Sequence, residues 1–116
     1  MPIMQLENWK QSMAYKVKIT DKAKVDLDAI IRYITEVLLN STAAAHLLAD
    51  FLEKKNNLQD SPYMYPVCND TRLQKKGYHR FLFYKNYIGL YSINDKEKLV
   101  TILHVFYAKR NYAKSV

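Results

Sequence analysis

Three kinds of side chain in this sequence could do chemistry. Histidine titrates near neutral pH and can pass a proton; it occurs at His46, His79 and His104. Basic groups gather at Arg72, Lys75, Lys76 and Arg80 with Tyr78 among them, and again at Lys109 and Arg110, followed by Tyr112. Cations beside aromatic rings can grip phosphate oxygens while a ring stacks on a base. The same lysines on an exposed hairpin would serve only to discourage edge pairing. The third kind is the single cysteine, Cys68, which has no metal-ligand spacing with the histidines, so no metal site is expected. His104 lies among Leu103, Val105 and Phe106, and His46 near the apolar stripe of a helix; both read as structural. His79 flanks Tyr78 and Arg80 at a strand entrance, where packing and proton transfer are both open.

Composition bounds what could hold these groups. With 116 residues, 49% of them hydrophobic and only two Gly and three Pro, the chain is one globular domain, not a collagen-like or disordered one. One cysteine allows no intrachain disulfide, which makes a reducing cytoplasm the expected compartment. No apolar run nears the ~20 residues of a membrane helix, and the N-terminus lacks a hydrophobic signal segment. Secretion and membrane insertion are therefore not expected. Eighteen Lys and Arg against eleven Asp and Glu leave a net charge of +7. Such a balance attracts polyanions or an acidic protein, or merely keeps the chain dispersed.

Residues 1–13 show no clear period and read as an N-terminal extension, with Trp9 expected to pack back on the domain formed by residues 14–116. Tyr15 to Ile19 alternate apolar and basic residues, as a strand with one wet face does. Thr20 or Asp21 can cap a helix whose stripe is Leu27, Ile30, Ile31, Ile34 and Leu38. Asn40 suits the left-handed position that ends a helix, and Ser41 or Thr42 can cap the next. That second helix carries Ala44, Leu47, Leu48, Phe51, Leu52 and Leu58; the short connection makes an antiparallel helical hairpin. Gln59 to Asp70 read as a loop and Arg72 to Lys75 as a short strand. Tyr78 to Lys85 and Tyr87 to Ile93 are strands around a tight turn near Asn86. A further turn at Asn94 to Glu97 leads into a long strand from Leu99 to Tyr107. The expected class is α+β: an N-terminal strand and a helical hairpin packed on a small antiparallel sheet of about four strands.

The stretch from Tyr78 to Ile93 and the one from Val100 to Tyr112, closing on Tyr107-Ala-Lys-Arg-Asn-Tyr112, resemble the RelE/ParE superfamily, toxins of bacterial type II toxin–antitoxin modules. The resemblance covers roughly Ala14 to Tyr112. It implies a cognate antitoxin as partner, no cofactor, and one of two actions. RelE-like members cleave mRNA on the ribosome; ParE-like members inhibit DNA gyrase without a nuclease site.

Metal-independent RNA cleavage by transesterification needs a base for the 2′-OH, cations for the phosphate and an acid for the leaving oxygen. The resemblance sets Arg110 at the scissile phosphate. Arg80 could assist it, with His79 or Tyr112 as candidate proton donors and Arg72, Lys75, Lys76, Tyr78 and Lys109 as nucleic-acid contacts. The chain departs from the RelE-like pattern twice. Tyr112 lies nearer the closing motif than the RelE-like tyrosine, and Ile88 stands where those enzymes carry an arginine after an aromatic. An isoleucine cannot stabilise developing negative charge. Cleavage of mRNA on the ribosome is the first expectation, and gyrase inhibition the alternative that Ile88 favours.

Overall fold

The computed structural model describes residues 14–109. Tyr15–Ile19 alternation becomes β1 (Lys16–Ile19), with Lys16 and Lys18 exposed and Val17 and Ile19 turned toward the core. Thr20 then starts helix α1 (Asp21–Arg32) by accepting the Ala23 amide on its hydroxyl at 3.1 Å. The helix does not end at Asn40. It widens into a π-helical turn (Tyr33–Val37), and Leu39 takes the left-handed conformation at φ 52°. Asn40 instead caps α2 (Ser41–Asp60), its side-chain oxygen accepting the Ala43 amide at 3.0 Å. A short amide side chain meets the orphan amides of a helix start better than a hydroxyl one residue later would here.

The expected strand over Arg72 to Lys75 is helix α3 (Thr71–Lys75). Asp70 accepts the amides of Arg72 and Leu73 at 3.0 and 3.2 Å, and Gly77, at φ 75°, lets the Tyr78 amide reach back to the Leu73 carbonyl. A capped start and a left-handed glycine stop make one helical turn out of a stretch without strand alternation. Strands β2 (His79–Phe83), β3 (Tyr87–Asn94) and β4 (Leu99–Tyr107) follow. The β2–β3 turn uses positive φ at Tyr84 and Lys85, two residues and one residue before Asn86. The Tyr84 amide is held there by the Asp50 carboxylate of α2.

The four strands lie in the order β1-β4-β3-β2. The sheet is mixed: β2, β3 and β4 are antiparallel, but β1 runs parallel to β4, with Lys16 opposite Leu99 and Ile19 opposite Ile102. A strand that leads into a helix on the sheet's face and rejoins only after three more strands arrives in that direction by topology, which alternation in the sequence does not encode.

One face of the sheet holds the main core. Ala23, Ile34, Leu47, Phe51 and Leu58 of the hairpin meet Phe81, Phe83, Tyr91, Val100, Ile102 and Val105. Phe81 lies directly over Gly89, its partner across the β2–β3 ladder. The other face carries a smaller core of Cys68, Leu73, Ile88, Leu90 and Phe106, roofed by α3. Both faces are therefore covered, as the apolar residues on both sides of β3 and β4 require. Among the described residues no helix is long and apolar enough to cross a membrane.

Candidate functional site

Alternation along β2 decides where its two chemical residues point. His79, Phe81 and Phe83 face the hairpin, while Arg80 and Leu82 face away from it. His79 is only 9% exposed; its ring stacks on Tyr91 with centroids 5.3 Å apart, and Nδ1 lies 2.9 Å from the Tyr65 carbonyl. The structure thus gives His79 a packed, hydrogen-bonded place in the main core, on the opposite side of the sheet from Arg80. Arg80 is half-buried at the wall of a small nook of about 210 Å³ formed with Tyr65, Pro66, Phe81 and Leu82.

The basic cluster is brought together by α3. Arg72, Lys75 and Lys76 are all exposed on this one turn, and the Lys76 ammonium lies 5.7 Å from the centre of the Tyr78 ring. Lys109 is exposed just past Ala108, which packs on the same small core that α3 roofs. Arg110 and Tyr112 lie outside the described residues.

Beneath that roof the middle of the sheet face is apolar. Ile88 is 3% exposed and packed with Cys68, Leu73, Leu90 and Phe106, so its position contributes no charge to the face. His104 shares this face, its ring stacked on Phe106 at 5.6 Å. Its Nδ1 is buried without a hydrogen-bond partner. Desolvation lowers its pKa, and the nearby Asp26 carboxylate opposes that shift only in part. His46, expected to be structural, is exposed on α2. Burial likewise raises the Cys68 thiol, so it is a protonated core residue rather than a nucleophile.

A second feature was not foreseen. Ala29, Ile30, Tyr33 and Leu38 form one wall of an open groove of about 680 Å³, and Tyr87, Val105, Phe106 and Tyr107 form the other. The apolar stripe of α1 was expected to be core, yet Leu38 is 55% exposed and Tyr33 54%. The π-helical turn inserts extra backbone after Arg32, which rotates Val37, Leu38 and Leu39 off the buried stripe and onto the groove's rim. Leu48 and Leu52 of α2, also read as core, are exposed in part because Ala44, Leu47, Phe51 and Leu58 form the helix's buried face and these two leucines flank it. The one signal for the rim in the sequence is the run Val37-Leu-Leu39, too apolar for an ordinary surface connection.

The sequence pattern of the ParE toxin of type II toxin–antitoxin systems, parDE, matches residues 17–112. The chain belongs to the ParE toxin family. It is thus the toxin component of a type II toxin–antitoxin system, and the resemblance to the RelE/ParE superfamily resolves to this family. The fold agrees. A chain of the chromosomal ParDE toxin–antitoxin system from P. aeruginosa superposes with a TM-score of 0.67 at 20% identity, covering 84% of this chain and 99% of that one. A chain of the toxin–antitoxin complex RelBE2 from Mycobacterium tuberculosis gives 0.57 at 23% identity, covering 81% and 98%. At these identities the likeness is one of fold. No curated protein sequence matches significantly.

Proposed function

We propose that this ParE-family toxin arrests growth in the bacterial cytoplasm by binding its target, DNA gyrase, without cutting RNA, and that a cognate antitoxin holds it inactive. The observation that carries the reading is Ile88. Phosphate cleavage needs cations placed where charge develops, and the middle of this sheet face offers a buried isoleucine among Leu90, Phe106 and Leu73 instead. His79 supports the same reading, since its ring is spent on Tyr91 and the Tyr65 carbonyl. On this reading Arg72, Lys75, Lys76 and Lys109 attract and orient the target, and the +7 charge speeds the encounter. The antitoxin follows from the family and from the two structural relatives, both components of toxin–antitoxin systems.

One observation favours the RelE-like alternative: Tyr78 and the lysines of α3 share the sheet face with Arg80, an arrangement able to grip RNA. Primer extension on a reporter mRNA after brief induction, with plasmid supercoiling measured in the same cells, separates the two. Intact mRNA with lost supercoiling is the expected result. New ribosome-dependent cuts with normal supercoiling would overturn the gyrase reading and return Arg80, Arg110, His79 and Tyr112 to consideration as catalytic groups.

A further inference from the structure

β1 is an edge strand, and three cations gather on its outer side without a counterion. In the parallel ladder the amides of Lys16 and Thr20 donate to the Lys98 and Ile102 carbonyls, so by alternation the Ile19 amide faces away from β4. Ile19 lines a cleft of about 480 Å³ there, together with Lys18, Thr20, Asp21, Lys24 and Lys55. Three elements supply the lysines: β1, the start of α1 and the latter half of α2. The lysines next to them in sequence are neutralised. Lys22 pairs with Asp26, which also accepts the Val105 amide at 3.2 Å, and Lys54 pairs with Asp50 at 3.1 Å. Asp28, four residues after Lys24, lies 3.8 Å from Arg32 instead. Among the described residues Lys18, Lys24 and Lys55 form no ion pair, and Asp21 is the one carboxylate in the lining. Thr20 is already spent: its hydroxyl accepts the Ala23 amide and donates to the Leu103 carbonyl at 3.0 Å, and its carbonyl accepts the Lys24 amide. The lysines make this site, and the helix end does not.

We propose that this cleft is a phosphate site and that it holds the backbone of duplex DNA. Several unpaired ammoniums converging on one cleft suit the oxygens of a phosphate, which accept from more than one side. The rest of the lining narrows the ligand. A free nucleotide needs an apolar or aromatic wall for its base, and a single strand needs rings on which its bases stack. Among the described residues no aromatic ring lines this cleft, whereas Tyr78 accompanies the lysines of α3. Lysines without a ring grip the phosphates of a duplex and carry no sequence information. The cleft is also distinct from the basic turn: it lies on the β1 edge, and α3 leads into β2 at the opposite edge. The choice of DNA over an RNA duplex rests on the gyrase reading given above; the phosphate site itself does not. On that reading the toxin touches the DNA that the enzyme holds as well as the enzyme.

The test titrates the full-length toxin against a short DNA duplex, the matching RNA duplex and pyrophosphate across a salt series. Lys24→Gln/Lys55→Gln is compared with Lys85→Gln/Lys96→Gln, which removes the same charge from two exposed turns. The cleft variant should lower DNA affinity about tenfold and reduce the slope of log affinity against log salt by about two, since each phosphate contact contributes about 0.9. The turn variant should change both far less. Asp21→Asn, which removes the opposing carboxylate, should tighten DNA binding, and Glu97→Gln on an exposed turn should not; a gain of affinity cannot come from unfolding. Equal losses in the two double variants, or no DNA binding at all, overturn the site. Tighter binding of the RNA duplex overturns the choice of DNA. Pyrophosphate binding lost in the cleft variant with DNA affinity unchanged overturns it in favour of a free phosphate compound. Plasmid supercoiling in induced cells reads the gyrase proposal separately: lost supercoiling without DNA binding leaves gyrase standing and removes the cleft, and normal supercoiling with the expected DNA binding does the reverse.

Discussion

Replacing Gly89 by alanine sets two effects of opposite sign against each other. In a strand, exchanging glycine for alanine restricts the unfolded chain and by itself stabilises by about 0.4–1 kcal/mol. Here the new methyl would meet the Phe81 ring, with its Cε1 and Cε2 atoms at 2.5 and 2.8 Å and Cζ closer still. Phe81 has nowhere to retreat: the rings of Phe51, Tyr65, Phe83 and Tyr91 surround it at centroid distances of 6.1, 6.0, 5.9 and 6.0 Å. Overpacking of a fixed ring costs about 1–3 kcal/mol, and contact with three ring atoms puts this site at the upper end. The net expectation is destabilisation by about 2 kcal/mol. With a urea dependence of about 1–3 kcal/mol/M for a domain of this size, the midpoint should fall by roughly 1 M. The double variant Gly89→Ala/Phe81→Leu should be less destabilised than the sum of the singles by about 1 kcal/mol or more, because leucine lacks the colliding edge. A midpoint for Gly89→Ala equal to or above that of the wild type would refute the packing argument.

Thr20→Ala removes both the cap of α1 and the donor to the Leu103 carbonyl, and should cost about 1–2 kcal/mol by thermal unfolding, while Thr20→Ser recovers most of it. The Tyr84 amide, and secondarily Lys54, hold the Asp50 carboxyl below its ordinary pKa. That contribution is present at neutral pH and is lost as pH falls through the lowered folded value, so Asp50→Asn should flatten the acid limb of a Tm–pH profile. Cys68 is buried and its thiol pKa raised, so a thiol reagent should label it only at the rate of opening, and labelling should accelerate in step with urea unfolding. Lys75→Ala/Lys76→Ala leaves the fold unchanged, since both side chains are exposed on α3, but should weaken growth arrest and lower the salt sensitivity of target binding. Undiminished arrest would remove α3 from the target surface.

What was legible in the sequence had a local cause. Tyr15 to Ile19 alternate because one face of β1 is wet, and the long β-branched run ending at Tyr107 could only be a strand. The helical hairpin followed from two stripes and a short connection. Misreadings arose where one local signal competed with another. Asn40 can end a helix or start one, and the choice fell to Leu39, which no propensity would put in the left-handed region. Arg72 to Lys75 looked strand-like for want of a stripe, although Asp70 and Gly77 framed a single helical turn. The candidate site was less legible for a different reason. The face on which His79 lies depends on the β2–β3 register, and the groove depends on a π-helical turn that leaves no mark beyond an apolar Val37-Leu-Leu39. Charge clusters, by contrast, carry over directly, because Arg72, Lys75 and Lys76 need only one turn of helix to converge.

The parallel pairing of β1 with β4 joins the first and the last strand of the described residues. Among the described residues β4 is the last strand to be made, and it is central: β1 has no other partner, and β3 gains its second neighbour from it. Until it emerges, β1 has no partner, the Thr20 and Asp26 side chains have no edge to hold, and the small core under α3 lacks Phe106. Pairing at such long sequence separation is also slow, because the loop entropy is lost before the contacts form. The toxin domain therefore stays incomplete until Leu99 to Tyr107 have been made and have met β1. Closure of the sheet around β4, rather than formation of the helical hairpin, is thus the step that completes the toxin's fold.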